Sequence, residues 1–323
     1  MIFDGHCDIF TDVLRRRLAG EENVLQRRHL PLLRAGGISG GCFVLWVDPP
    51  YTDAPAERLT QLMQAVEAEM AVCTEAVLVH HSAEMRQAQA EGRFPILLGV
   101  EGLAAIGEDI SDIERLYAFG VRHAMLTWNE ENALATGAKG NPARGLTDAG
   151  RRAVRCMEKL QMLVDVSHLN EASFWDVLRV AQAPVIASHS NAYALAAVPR
   201  NLTDEQLRAI AKTGGLVGLN ANKNLVSPDP AKQHLRHFAA HAAHIAETIG
   251  VEHLAFGFDF NEYLTVDATK SYNDGGNPNV PGLEDASHTP AYLVVLREVG
   301  FSQKELQQMA EENWLRLIET VIG

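Results

Sequence analysis

Three histidines and three carboxylates fall at or just beyond the carboxyl ends of short apolar runs: His6 and Asp8, then Glu101, His168, His189 and Asp259. Neutral imidazole nitrogens and carboxylate oxygens are the donors that suit zinc and similar first-row divalent ions. In an extended strand residues i and i+2 share a side, so His6 and Asp8 can grip one ion together while Cys7 points away. Glu101, with two oxygens, can bridge to a second ion completed by His168 and His189. The result would be a binuclear centre with ions about 3.5–4 Å apart and a water between them. A lone histidine at a strand end is more often a packed residue; six such residues in equivalent places argue for a joint site.

Equivalent places require a repeating scaffold. Eight apolar runs bounded by turn residues occur at 2–7, 38–47, 95–100, 121–128, 162–166, 184–188, 215–220 and 254–259. Their Val, Ile, Leu and Ala content is that of strands buried on both faces. Helical patterns lie between them, such as 56–75, with apolar residues at three- and four-residue steps. Thr147, Asn170 and Thr203 supply start signals for helices over 149–160, 172–181 and 204–212. Strand–helix alternation of this count predicts an α/β fold, a (β/α)8 TIM barrel with C-terminal helices at 289–299 and 303–321, forming one domain over residues 1–323. Polar residues at strand C-termini then share one rim, where barrel enzymes keep their sites. A doubly wound sheet competes, but its phosphate-binding turn should follow the first strand, whereas Gly36–Gly41 (GGISGG) precedes a strand. The stretch 261–287, rich in Asn, Asp, Gly and Pro, is long enough for a lid or binding loop.

Composition narrows the function. The 323 residues are 47% hydrophobic, and 28 Lys and Arg against 41 Asp and Glu leave a formal charge of −13. That sign opposes binding to nucleic acid or an anionic membrane surface. Cys7, Cys42, Cys73 and Cys156 are scattered, with no C-x-x-C pair, so neither a disulfide framework nor a zinc ribbon is expected. No apolar run approaches the roughly 20 residues of a membrane helix. Nothing resembling a secretion leader fits between Met1 and His6, so the expected location is cytoplasmic.

The segments DGHCD (4–8), GVEG (99–102), DVSH (165–168), ASHS (187–190), PRNLTDE (199–205) and GFDF (257–260) resemble, in order and along almost the whole chain, the membrane (renal) dipeptidase family of the amidohydrolase superfamily. The 21-residue step from His168 to His189 and the 11-residue step from His189 to Arg200 are part of the likeness. The resemblance implies two zinc ions per chain, one on His6, Asp8 and Glu101 and the other on Glu101, His168 and His189. It also implies that Arg200 pairs with the substrate and that Asp259 shuttles the proton of a metal-bridging hydroxide. The substrate class it implies is a dipeptide, and it leans towards a homodimer.

Two departures from the family pattern stand out. Where many members carry a histidine in a Leu-Thr-His context this chain reads LTWNEEN, with Trp128 in its place and Asn129 beside it. Asn129, Asn132 or a loop residue is then expected to act on the substrate instead. After the last strand FNE stands where FDG is usual. The departures leave open an amidohydrolase acting on an N-acyl amino acid, a lactone or a cyclic amide, and, further off, a non-catalytic metal-binding barrel. His234, His237, His241 and His244 lie on one helical stripe without a nearby H-E-x-x-H arrangement. They are read as packed or exposed rather than metal-bound, and His123 as lying too early in its strand to reach the rim.

Overall fold

The computed structural model describes residues 1–273 and 275–323. Among the described residues nine parallel strands are present: β1 (Ile2–Cys7), β2 (Ile38–Trp46), β3 (Ala76–Val79), β4 (Phe94–Glu101), β5 (His123–Met125), β6 (Leu163–Asp165), β7 (Val185–Ile186), β8 (Val217–Leu219) and β9 (Leu254–Phe256). The curled sheet runs β1-β2-β4-β5-β6-β7. A parallel bridge from Ala187 to Val217 carries it on to β8, which pairs with β9. The circuit closes through a side chain, because Asp4 Oδ1 accepts the Phe258 amide of the last strand's extension at 2.8 Å. This is the (β/α)8 barrel, with the eight anticipated strands in the circuit.

β3 is the addition. It pairs with residues 94–97 of β4, while β2 pairs with 96–101. A strand has only two edges, so β3 must share its edge with β5, which takes 99–101. The later strands are shorter than their apolar runs. Beyond Ala187, Ser188 N donates to Asp165 Oδ1 at 3.2 Å, a side-chain bond immediately before His189.

The helices wrap the outside, and the start signals act as caps. Thr147 accepts from Gly150 N, Asn170 from Ser173 N, and Thr203 forms a capping box with Gln206. The helix expected over 56–75 spans Pro55–Met70. The C-terminal region is Thr289–Glu298 and then Gln303–Gln307 continued by a π turn into Asn313–Val321.

Phe3, Val44, Leu97, Leu163, Ile186 and Ala255 come from six strands of the circuit and, with Leu216 just before β8, form one buried cluster in the barrel interior. Trp314, Leu317, Ile318 and Val321 of the last helix close its floor. Trp314 Nε1 donates to Phe256 O at 3.0 Å. Gly5 leaves room for the indole, since a Cβ there would lie 2.1 Å from it. Among the described residues no helix is long and apolar enough to cross a membrane.

Candidate metal centre and substrate cleft

The rim opposite that floor gathers the anticipated side chains. His6 Nε2 lies 3.3 Å from Glu101 Oε2, 3.7 Å from Asp8 Oδ2 and 3.9 Å from Asp259 Oδ1. His168 Nε2 lies 2.8 Å from Glu101 Oε1 and 2.8 Å from His189 Nε2. Two groups hold ligand atoms all within 4.8 Å of one another: His6, Glu101 and His189, and His6, Asp8 and Asp259. Asp259, the residue the family resemblance makes the proton shuttle, thus also lies within reach of an ion shared with His6 and Asp8.

Each donor is supported by its own element. Asp8 precedes the helix Ile9–Leu18 in the capping position but makes no cap bond, and its Oδ1 is buried without a partner. His6 is buried and neither ring nitrogen makes a hydrogen bond, although Nε2 faces the Glu101, Asp8 and Asp259 carboxylates. His168 Nδ1 meets Asn129 Oδ1 at 3.0 Å. An amide oxygen only accepts, so the ring proton belongs on Nδ1 and Nε2 keeps its lone pair. His189 Nδ1 meets Ser188 Oγ at 2.8 Å. His168 and Asp259 adopt φ of 69° and 58°, a left-handed conformation costing about 1–3 kcal/mol per residue that is concentrated at functional sites.

The electrostatics fit a cation. Burial, reinforced by the Asp8 charge, pushes Glu101 up to about 8. Burial likewise pushes Asp259 up to about 7. Burial, with His6 and Arg200 nearby, drives His168 and His189 well below the usual histidine range, leaving them neutral. Burial opposes charge on His6, yet the Glu101 and Asp8 carboxylates raise its pKa. Converging lone pairs and crowded carboxyls at these distances need protons or cations between them. Orphaned His6 nitrogens and an orphaned Asp8 oxygen are what divalent ions of nitrogen and oxygen preference would satisfy.

A cleft opens over the cluster. Arg200 lines it, anchored by His189 O at 3.1 Å and Ser190 Oγ at 3.4 Å, and burial lowers its pKa to about 10, still charged at neutral pH. Trp128 forms part of the wall, with ring centroids 5.2 Å from Trp46 and 6.4 Å from Tyr272. Asn129 also lines the cleft but commits its oxygen to His168. Asn132 is held in a turn, donating to Leu126 O and accepting from Leu134 N and Ala135 N, and does not line the cleft.

His123, His234, His241 and His244 have structural partners, whereas His237 Nε2 is buried without a hydrogen bond. His123 Nε2 bonds Asp165 Oδ2 at 2.7 Å inside the barrel. His241 accepts from Ala192 N and donates to Val226 O. His244 meets Asp204, and His234 caps its own helix.

The profile of the membrane dipeptidase family, peptidase family M19, matches residues 1–322. This chain belongs to that family. An uncharacterised Klebsiella pneumoniae protein from the pqqA 5′ region is 31% identical over 249 residues, 74% of this chain and 87% of that one. A Rhodobacter sphaeroides metallopeptidase, solved with a phosphinate mimic of L-Ala-D-Ala, superposes with a TM-score of 0.86 at 26% identity, covering 99% of both chains. The M19 metallopeptidase named dipeptidase AC superposes with a TM-score of 0.87 at 28% identity, covering 100% of this chain and 98% of its own. The protein is therefore a metallo-dipeptidase by family.

Three features of this M19 site escaped sequence reasoning. Asn220 Nδ2 donates to Asp259 Oδ2 at 2.9 Å, and Asn261 Nδ2 to Oδ1 at 3.3 Å. Asn220 ends the seventh predicted run and Trp46 is next to last in the second, so the rim rule could have found both. Tyr272 stands in the irregular 261–287 stretch, where no periodicity marks it.

Proposed function

We propose that this M19 chain is a binuclear zinc dipeptidase in which His6, Asp8, Glu101, His168 and His189 hold the metals. The observation that carries the reading is the meeting of neutral His168 and His189, through Nε2, at one Glu101 oxygen, with His6 Nε2 3.3 Å from the other. Two divalent cations there would supply Lewis acidity, polarising the scissile carbonyl and acidifying water near neutral pH.

The chain's own residues do the rest. Arg200 presents guanidinium donors to the substrate's terminal carboxylate, at a position fixed by His189 O and Ser190. Asp259, oriented by Asn220 and Asn261, takes the proton of the attacking water. It returns that proton to the amide nitrogen as the C–N bond breaks. The aromatic wall shields the reacting bond from bulk water. Four free thiols at Cys7, Cys42, Cys73 and Cys156 support a reducing, cytoplasmic compartment.

Elemental analysis of the purified protein should find two zinc ions per chain, and the zinc-loaded enzyme should hydrolyse dipeptides. The Rhodobacter relative's ligand makes D-configured C-terminal residues part of that panel. A dipeptide should outperform its C-terminal amide, and Arg200→Ala should raise KM for the dipeptide about 10–100-fold while removing that preference. Equal kcat/KM for acid and amide in the wild type would remove the carboxylate role. A second reading, hydrolysis of an N-acyl amino acid, draws on Trp128 standing where a histidine is usual. N-acyl substrates cleaved in place of dipeptides would favour it.

A further inference from the structure

The cleft is chemically lopsided. Its charged lining, Asp8, Glu101, Asp259 and Arg200, belongs to the cluster and the carboxylate anchor; the rest is asparagines, Leu225, His168 and three aromatic rings. Trp46 ends β2, the second strand of the eight-membered circuit, and Arg200 follows β7, the sixth. Second and sixth positions of a closed circuit of eight face each other across the barrel. A ligand whose carboxylate sits on Arg200 and whose amide lies over the cluster therefore directs its other half toward the aromatic side.

We propose that Trp46, Trp128 and Tyr272 form a subsite for a bulky apolar side chain on the substrate's N-terminal residue. The inference rests on the dipeptidase reading and specifies its substrate.

The wall is built before any ligand arrives. Gly102 has φ of 83°, and a Cβ there would lie 2.8 Å from Trp128 N; a Cβ at Gly137 would lie 2.3 Å from Trp128 O. Two glycines thus admit the Trp128 backbone, one at its N and one at its O. The segment is tied further by Gly137 N to Glu130 O, Ala138 N to His168 O and Lys139 N to Asn129 O, each within 2.9 Å. Trp46 is 2% exposed and backs Trp128 at a 55° tilt, and Tyr272 meets Trp128 edge-on at 71°. A rigid aromatic surface gains contact with each added methylene or ring and loses little to ordering. It offers a hydrogen-only side chain nothing to bury, and the three rings themselves carry no charge to pair with an acidic or basic side chain.

The test is steady-state kinetics of the zinc-loaded enzyme on Gly-Ala, Leu-Ala, Phe-Ala and Glu-Ala. Leu-Ala and Phe-Ala should exceed Gly-Ala and Glu-Ala in kcat/KM by at least about tenfold. In Trp128→Ala, and in Tyr272→Ala on the less buried loop, the Phe-Ala to Gly-Ala ratio should fall to within about threefold of unity. Dipeptides cleaved without preference, or a preference that survives both substitutions, would overturn the subsite while leaving the dipeptidase reading intact. Failure of the metal-loaded enzyme on every dipeptide would bring down that reading and the subsite with it.

Discussion

Asp259 is held between two amides: Asn220 donates to one oxygen and Asn261 to the other. Both bonds fix the carboxylate beside the cluster while burial lifts its pKa to about 7, the range in which a group can both take and return a proton. Asp259→Asn should lower kcat by about 10²–10⁴-fold with metal content unchanged by elemental analysis. Loss of one ion in that variant would instead assign Asp259 to coordination, the role its distance to His6 and Asp8 also permits. The departure at Asn261 was visible in the sequence as FNE, but its consequence was not. An asparagine amide donates to its neighbour, which an ionised aspartate does not, and only the fold shows which neighbour that is.

Strand ends and loops carry these residues, and a buried pair beneath them holds two of the loops in place. Asp165 Oδ2 pairs with His123, while Oδ1 accepts from Ser167 N at 2.8 Å and Ser188 N at 3.2 Å, the turns that deliver His168 and His189. Burial opposes charge on His123, but Cys42 and Asp165 beside it hold its pKa at about 10. Asp165→Asn breaks this buried pair and should cost about 3–5 kcal/mol in guanidinium unfolding. The outer helix Leu235–Ile249 carries a second buried histidine with the opposite sign. Burial lowers His241 to about 4, with His237 and His244 adding to the effect. The unfolded chain titrates near 6.5, so His241 contributes its full stability above that pH, and the contribution is lost as pH falls toward 4. The amount is roughly 3 kcal/mol. Urea midpoints at pH 7.5 and 4.5 should therefore converge more in His241→Gln than in the wild type.

At the scale of the whole molecule the barrel has a closed floor and an open, metal-hungry rim. Trp314 fills the floor against Phe3 and Gly5. Trp314→Ala should cost about 3–5 kcal/mol. At the rim, chelation should abolish hydrolysis and lower Tm by at least about 5 °C, both restored by added zinc, because ions that bind only the folded chain stabilise it by mass action. Unchanged Tm on chelation would argue that the cluster holds no ion.

Apolar runs of the right length and spacing were enough to define the eight-strand circuit, because burial on both faces leaves a composition that any reader of the chain can see. The same rule placed His6, Asp8, Glu101, His168, His189 and Asp259 at strand ends, since strand direction alone sends those ends to one rim. Tertiary structure decided what local pattern does not encode. β3 joined an edge left free by β5, Asp4 closed the ring with a side chain, Asn129 turned to His168, and Tyr272 came from an irregular loop to meet Trp128. Those outcomes depend on contacts between segments far apart in the chain, and such contacts leave no periodic trace in the residues that make them.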